Sequence, residues 1–303
     1  MLSKSLVLIA GLLATTTVGR AAERATVIVL GSGTPIPDPA SSGPSVAIVV
    51  NGQAYLFDAG AGVVRRAQAA ADKFRLSALD ATSLTRLFIT HLHSDHTLGY
   101  PDLMLSPWVV GRSLPFEVYG PEGLAAMTKH LKQAYAADIK IRQEGLEGLR
   151  ARELVVNVHE IKREGLVYQD ANVRVSAIAV LHGSWPQAFG YSIDAGGRRI
   201  VISGDTTPSA AIEAACQGCD VLVHEVYSSD RYDAVFGRRG NQYHLASHTS
   251  TRQLAELASR AKPKLLVLYH QLYFGPPEGV DLEQEIRRTY SGNVVSGRDL
   301  TAY

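Results

Sequence analysis

Residues 90–96 read Thr-His-Leu-His-Ser-Asp-His and directly follow the apolar run Leu87–Thr90, which reads as a β-strand. In extended backbone, side chains two apart share a face, so His91 and His93 can address one ion. A helix start at Ser94 presents Asp95 and His96 from another direction, towards a second ion beside the first. A lone histidine is ordinarily a solvated or core imidazole. Three of them with a carboxylate inside six residues form a metal-ligand cluster, which commits the fold to a strand end open to chemistry. Further donors stand at predicted strand ends, where a layered α/β protein places its functional side chains. His182 closes the strand Val173–Leu181, Asp205 follows the strand Arg199–Ile202 with a carboxylate able to bridge two ions, and His270 follows Leu265–Tyr269. Imidazoles with carboxylates make an N/O donor set suited to Zn²⁺, with Mn²⁺ or Fe as alternatives and thiolate chemistry excluded.

The chain around this cluster reads as globular. With 303 residues, 46% hydrophobic and 19% charged, it has enough apolar surface to close a large core. Thirty Lys and Arg against 29 Asp and Glu leave a net charge of +1, so there is no bulk positive field of the kind a non-specific nucleic-acid or membrane-surface binder uses. Lys4, the apolar stretch Leu6–Ala14 and small residues at Gly19 and Ala21 form a secretory signal pattern over residues 1–21. That pattern predicts a mature chain from residue 22 to 303, a single domain, periplasmic or secreted, with no membrane span after cleavage. Removal of Lys4 and Arg20 leaves 28 basic against 29 acidic residues, a mature charge of −1. Cys216 and Cys219 form a single C-x-x-C at the end of the predicted helix Ser209–Ala215, and are either a local disulfide staple or two free thiols.

Strand patterns at Thr26–Leu30, Ser45–Val50, Ala54–Phe57, Leu154–Ile161, Gly190–Ile193 and Asp220–Val223 alternate with helical ones at Val63–Phe74 and Gly123–Ala137. Asn51-Gly52 marks a hairpin, and Ser250 with Gln253 a capping box that opens a helix over Thr251–Ala261. Strand-turn-helix units in both halves, with no linker between, predict an α/β architecture in layers.

The motifs, taken in order, resemble those of metallo-β-lactamase-fold hydrolases, specifically the ribonuclease Z/phosphodiesterase/arylsulfatase-like branch. They run from Leu30-Gly31-Ser32-Gly33-Thr34-Pro35 through Phe57-Asp58-Ala59-Gly60 and His91–His96 to His182, Ser203–Thr206, His224-Glu225, His248 and His270. The resemblance implies a four-layer αβ/βα sandwich of two mixed sheets with the site at one edge. It implies two zinc ions, one on His91, His93 and His182, the other on Asp95, His96 and His270, with Asp205 shared. Asp95 would also orient the nucleophile, a metal-bridging hydroxide, while His248 would serve as proton donor and Glu225 would orient it. His224 reads equally well as a buried strand histidine.

By the same resemblance the substrate is a small or medium anionic ester, a phosphodiester or an aryl sulfate. Ribonuclease Z enzymes commonly carry a tRNA-gripping arm between the counterparts of His182 and Asp205, where this chain has only the 22 residues 183–204, and they usually have Gly at the place of Ser94. An exported enzyme would also not meet precursor tRNA. The segment Leu98–Arg112, followed by Val118–Pro121, looks most like exported arylsulfatase-like members. Hydrolysis of a lactone or β-lactam is the alternative. A ribonuclease Z-type tRNA 3′ endonuclease and a non-catalytic metal-dependent binding protein follow. No stable nucleic-acid partner is expected, the resemblance admits a homodimer, and Trp108, Trp185, Tyr273 and Phe274 are candidates to line the pocket.

Overall fold

The computed structural model describes residues 24–237 and 240–303; the predicted signal segment lies outside the described residues. Six strands, β1 (Thr26–Gly31), β2 (Ser45–Val50), β3 (Gln53–Phe57), β4 (Arg86–Phe88), β5 (Phe116–Gly120) and β6 (Val156–Glu160), form one sheet. Seven more form the other: β7 (Gly165–Gln169), β8 (Val173–Val180), β9 (Ala188–Ala195), β10 (Arg198–Ile202), β11 (Val221–Tyr227), β12 (Leu266–Leu272) and β13 (Val294–Ser296). The last strand, β14 (Thr301–Ala302), returns to pair with β1, and each sheet then has seven strands. Both sheets are mixed in the same way, with three antiparallel pairings followed by three parallel ones.

Side-chain alternation builds the layers. In β2, Val46, Ile48 and Val50 enter the core between the sheets, whereas Ala47 and Val49 pack on the outer face against the helix Val63–Phe74. In β10, Ile200 and Ile202 point between the sheets and Val201 points out towards the helices Ala210–Cys216 and Thr251–Ala261. Strands buried on both faces read as continuous apolar runs for this reason. The result is the expected αβ/βα sandwich of two mixed sheets. Asn51 and Gly52 both have positive φ (49° and 71°) and close a two-residue hairpin with Val50 opposite Gln53. Ser250 and Gln253 make both halves of the capping box at Thr251–Ala261. Cys216 and Cys219 are joined by a disulfide.

Other elements depart from the sequence reading. The helix expected over Gly123–Ala137 breaks at Tyr135 into Leu124–Ala134 and Ala136–Glu144, and the second piece buries no side chain, so it has no apolar face to betray it. β7 is an edge strand with no fully buried residue, and its pattern carries no alternation. The structure adds the helices Tyr100–Val109, Ser229–Phe236 and Gln242–Ser247. Among the described residues, no helix is long and apolar enough to cross a membrane.

Candidate metal centre

The donors come to one edge of the sandwich from both sheets. The loop after β4 carries His91 and His93, the latter in extended backbone, and the short helix Ser94–Thr97 then turns Asp95 and His96 inward. His182 lies past the end of β8 and Asp205 past the end of β10. His270 departs from the expected position after a strand, because β12 continues to Leu272. Register shifts around it, with Glu225 opposite Tyr269 and Val226 opposite Gln271, so His270 is the extra residue of a bulge at φ 44°. A bulge of this kind re-aims a side chain that the pleat would otherwise hold elsewhere.

The Oδ2 atom of Asp205 is the centre of the arrangement. It lies 3.3 Å from Nε2 of both His96 and His270, 3.9 Å from Nε2 of His182 and 4.0 Å from Nε2 of His91. On one side, Nδ1 of His93 is 2.9 Å from Nε2 of His91 and 3.0 Å from Nε2 of His182. On the other, Oδ2 of Asp95 is 3.1 Å from Nε2 of His270 and 3.4 Å from Nε2 of His96. Donor atoms of His91, His93 and His182, of Asp95, His96 and His270, and of His91, His96 and Asp205 lie within 4.8 Å of one another in each set, and each set could hold a metal ion.

Hydrogen bonding behind these rings decides what they offer. Nδ1 of His96 meets the Asp58 carboxylate at 2.8 Å and donates to it, which leaves the lone pair of its buried Nε2, without a hydrogen-bond partner, facing the carboxylates of Asp95 and Asp205. Acceptor facing acceptor is tolerable only with a proton or a cation between them. His182 donates its Nδ1 proton to the Ser247 carbonyl at 2.7 Å, so its Nε2 is likewise an acceptor, directed at His93. The residues present therefore fit a divalent cation. Asp58, in the Phe57–Gly60 motif, has no sequence signal for this role. It is buried at φ 60°, accepts from the backbone N–H and hydroxyl of Thr90 at 2.8 and 2.9 Å, and so is itself fixed.

Electrostatics separate the two halves. Burial holds His91 and His182 below the ordinary imidazole value and His93 at about 4. Burial opposes protonation of His96 too, yet the Asp205 and Asp58 carboxylates hold it well above the usual value; Asp205 and Asp95 likewise raise His270. Asp205, against its own burial, is held well below the carboxylate range by His270 and His96.

His248 follows the helix Gln242–Ser247, with Nδ1 3.4 Å from Oε2 of Glu225 and 3.9 Å from Oδ2 of Asp205. Burial lowers His248 to about 4, and burial together with Asp205 pushes Glu225 up; the facing atoms, Nδ1 of His248 and Oε2 of Glu225, are both buried without a hydrogen-bond partner. Glu225 is held in place by the backbone N–H of Thr249 at 2.7 Å. His224, on the same strand, is buried with Nδ1 on the Glu225 carbonyl at 2.7 Å, the arrangement of a strand histidine.

Of the four aromatic pocket candidates, Trp185 alone lines the cavity beside His93 and His182. Trp108 is buried against Met104, Leu105 and Leu154, a packing role. Tyr273 lines a separate cleft with Ser32 and Gln271, and Phe274 sits among Tyr227, Tyr232 and Phe236.

Residues 53–271 match the beta-lactamase superfamily domain. The ribonuclease Z of Mycobacterium sp. (strain KMS) is 31% identical over 277 residues, which cover 90% of this chain and 94% of that protein. Among solved structures, the short form of human tRNase Z superposes with a TM-score of 0.65 at 23% identity, covering 92% of this chain and 98% of that one. The metallo-beta-lactamase fold protein YhfI from Bacillus subtilis superposes at 0.66 with 17% identity and the same coverage. The chain belongs to the beta-lactamase superfamily and is a metal-dependent hydrolase of the metallo-β-lactamase fold.

Proposed function

We propose that this protein hydrolyses phosphodiester bonds, with His91, His93 and His182 holding one Zn²⁺, Asp95, His96 and His270 a second, and Asp205 shared between them. Bound there, the two ions would lower the pKa of water and neutralise charge on the ester oxygens. The observation that carries the reading is the His248–Glu225 pair at 3.4 Å, with His248 3.9 Å from the shared carboxylate. A phosphodiester leaves as an alkoxide or phenoxide and needs a proton. As the water oxygen bonds to phosphorus and the bond to the leaving oxygen breaks, His248 gives that oxygen its proton and Glu225 keeps the ring oriented. Asp95 accepts from the attacking water and fixes its direction.

A second reading, cleavage at the 3′ end of precursor tRNA, is favoured by the ribonuclease Z name of the Mycobacterium relative. Against this reading, no Lys or Arg is found among the described residues lining the cavity beside His93, where a polynucleotide would need cations.

The test is turnover of bis-p-nitrophenyl phosphate, p-nitrophenyl sulfate, a lactone, a chromogenic cephalosporin and a precursor tRNA by the purified zinc-loaded protein. Bis-p-nitrophenyl phosphate should be the best substrate, with His248→Ala losing about 10²–10⁴ in kcat while keeping its metal. Turnover of the lactone and cephalosporin alone would overturn the phosphodiester assignment, and a preference for the tRNA would install the second reading.

A further inference from the structure

A cavity of about 650 Å³ opens directly on His93 and His182. Trp185 and Pro186 form one wall and Tyr243 and Ala246 another, and no Lys, Arg, Asp or Glu is among the described residues lining it. The Trp185 ring stands nearly perpendicular to that of His93, with centroids 5.1 Å apart and planes at 84°. Across the opening, the Tyr243 ring lies 5.8 Å from His248. Tyr243 is 51% exposed, so its ring stands at the mouth of the site with part of its surface open to a ligand.

Both walls are held in place before anything binds. The Gly183 N–H donates to the Ala246 carbonyl at 2.8 Å, and His182 donates to the Ser247 carbonyl at 2.7 Å, so the 182–186 loop and the helix Gln242–Ser247 are joined at their base. Behind the helix, His244 packs on Phe274 at 4.8 Å. Asn241 caps the same helix through its side chain.

We propose that Trp185 and Tyr243 recognise the leaving group, and that the group they take is a flat, uncharged aromatic ring. This rests on the hydrolase reading above and names its substrate class. His93 and His182 line this cavity, and Tyr243 on its other wall lies 5.8 Å from His248, so a ring held against Tyr243 stands beside both the proposed metal ligands and the proposed proton donor. Aromatic faces reward a flat π-surface, and an apolar lining penalises a charged chain that would shed its water on entry.

The experiment compares two phosphodiesters whose leaving alcohols have similar acidity, a phenyl ester and a hexafluoroisopropyl ester, so that ring recognition is separated from chemical activation. In Trp185→Ala and in Tyr243→Ala, the preference in kcat/KM for the phenyl ester should fall at least tenfold, about 1.4 kcal/mol, with metal content unchanged. Trp185→Phe and Tyr243→Phe should recover most of that preference. An activity-independent readout uses the protein's two tryptophans, which give two indole N–H signals in a ¹⁵N-labelled sample. Adding phenol, which stays uncharged at neutral pH, should shift the Trp185 signal, identified by its loss in Trp185→Phe, and leave that of buried Trp108 in place. An unmoved Trp185 signal, or an unchanged phenyl preference in both alanine variants, overturns the proposal. A shifted signal in a metal-loaded protein that cleaves neither ester would uphold the ring site and refute the phosphodiesterase reading.

Discussion

Asp170 and Asp205 are both carboxylates set among rings and hydrogen-bond donors, and they show what separates a structural cluster from a functional one. Asp170, near the β2–β3 turn, accepts from the hydroxyls of Tyr55 and Tyr168 at 2.7 Å each and from the backbone N–H groups of Asn172 and Val173, with Arg86 3.9 Å away. Its donors find their acceptor within the cluster. At the other edge, Asp205 Oδ1, His96 Nε2, His248 Nδ1, Glu225 Oε2 and His270 Nδ1 are all buried without a hydrogen-bond partner. A network closed on itself rigidifies a core, whereas one left open in a buried pocket costs free energy unless a ligand completes it.

Three substitutions sharpen or break that contrast. Asp205→Ala removes the atom around which five imidazoles gather, and should abolish measurable turnover and strip metal, as read by elemental analysis of the purified protein; a variant that keeps full activity would remove the metal mechanism. Asp58→Asn leaves the ring of His96 in place but weakens the acceptor that sets its tautomer, and should cost about 10–100-fold in metal affinity or activity. Equal activity in that variant would show that the Nδ1 contact is mere packing. Asp170→Asn should leave turnover within about twofold and cost on the order of 1 kcal/mol of stability at neutral pH. Partial burial raises the Asp170 pKa, but the two tyrosine hydroxyls hold it below the usual value. A carboxylate depressed in the folded state contributes above its unfolded pKa and loses that contribution as pH falls through the folded one. The gap between the two proteins in chemical denaturation should therefore close on acidification below about pH 4. A gap that persists at low pH would mean the charge on Asp170 is not what the tyrosines recognise.

Much of this contrast was legible in the amino-acid order. Three histidines and an aspartate in six residues announce a ligand cluster, and Val63–Phe74 and Thr251–Ala261 were read at their observed bounds because each buries one face at helical spacing. Positions set by backbone geometry were harder. Asp58 depends on a left-handed φ after β3, and the aim of His270 depends on a bulge within a strand, neither of which has a periodic signature. Trp108 carries no sequence signal that separates a core aromatic from one lining a pocket. The difference lies in its neighbours Met104, Leu105 and Leu154.

The division of donors between the sheets has a consequence for the order of events during synthesis. His91, His93, Asp95 and His96 belong to the first sheet's side, and His182, Asp205 and His270 to the second's, so every one of the three donor sets named above takes members from both. A ribosome that has released only the first six strands has therefore exposed four donors and completed no set. Under the proposed ligand assignment, metal acquisition would wait for the later half of the chain and would then rivet together two sheets that the polypeptide delivered one after the other.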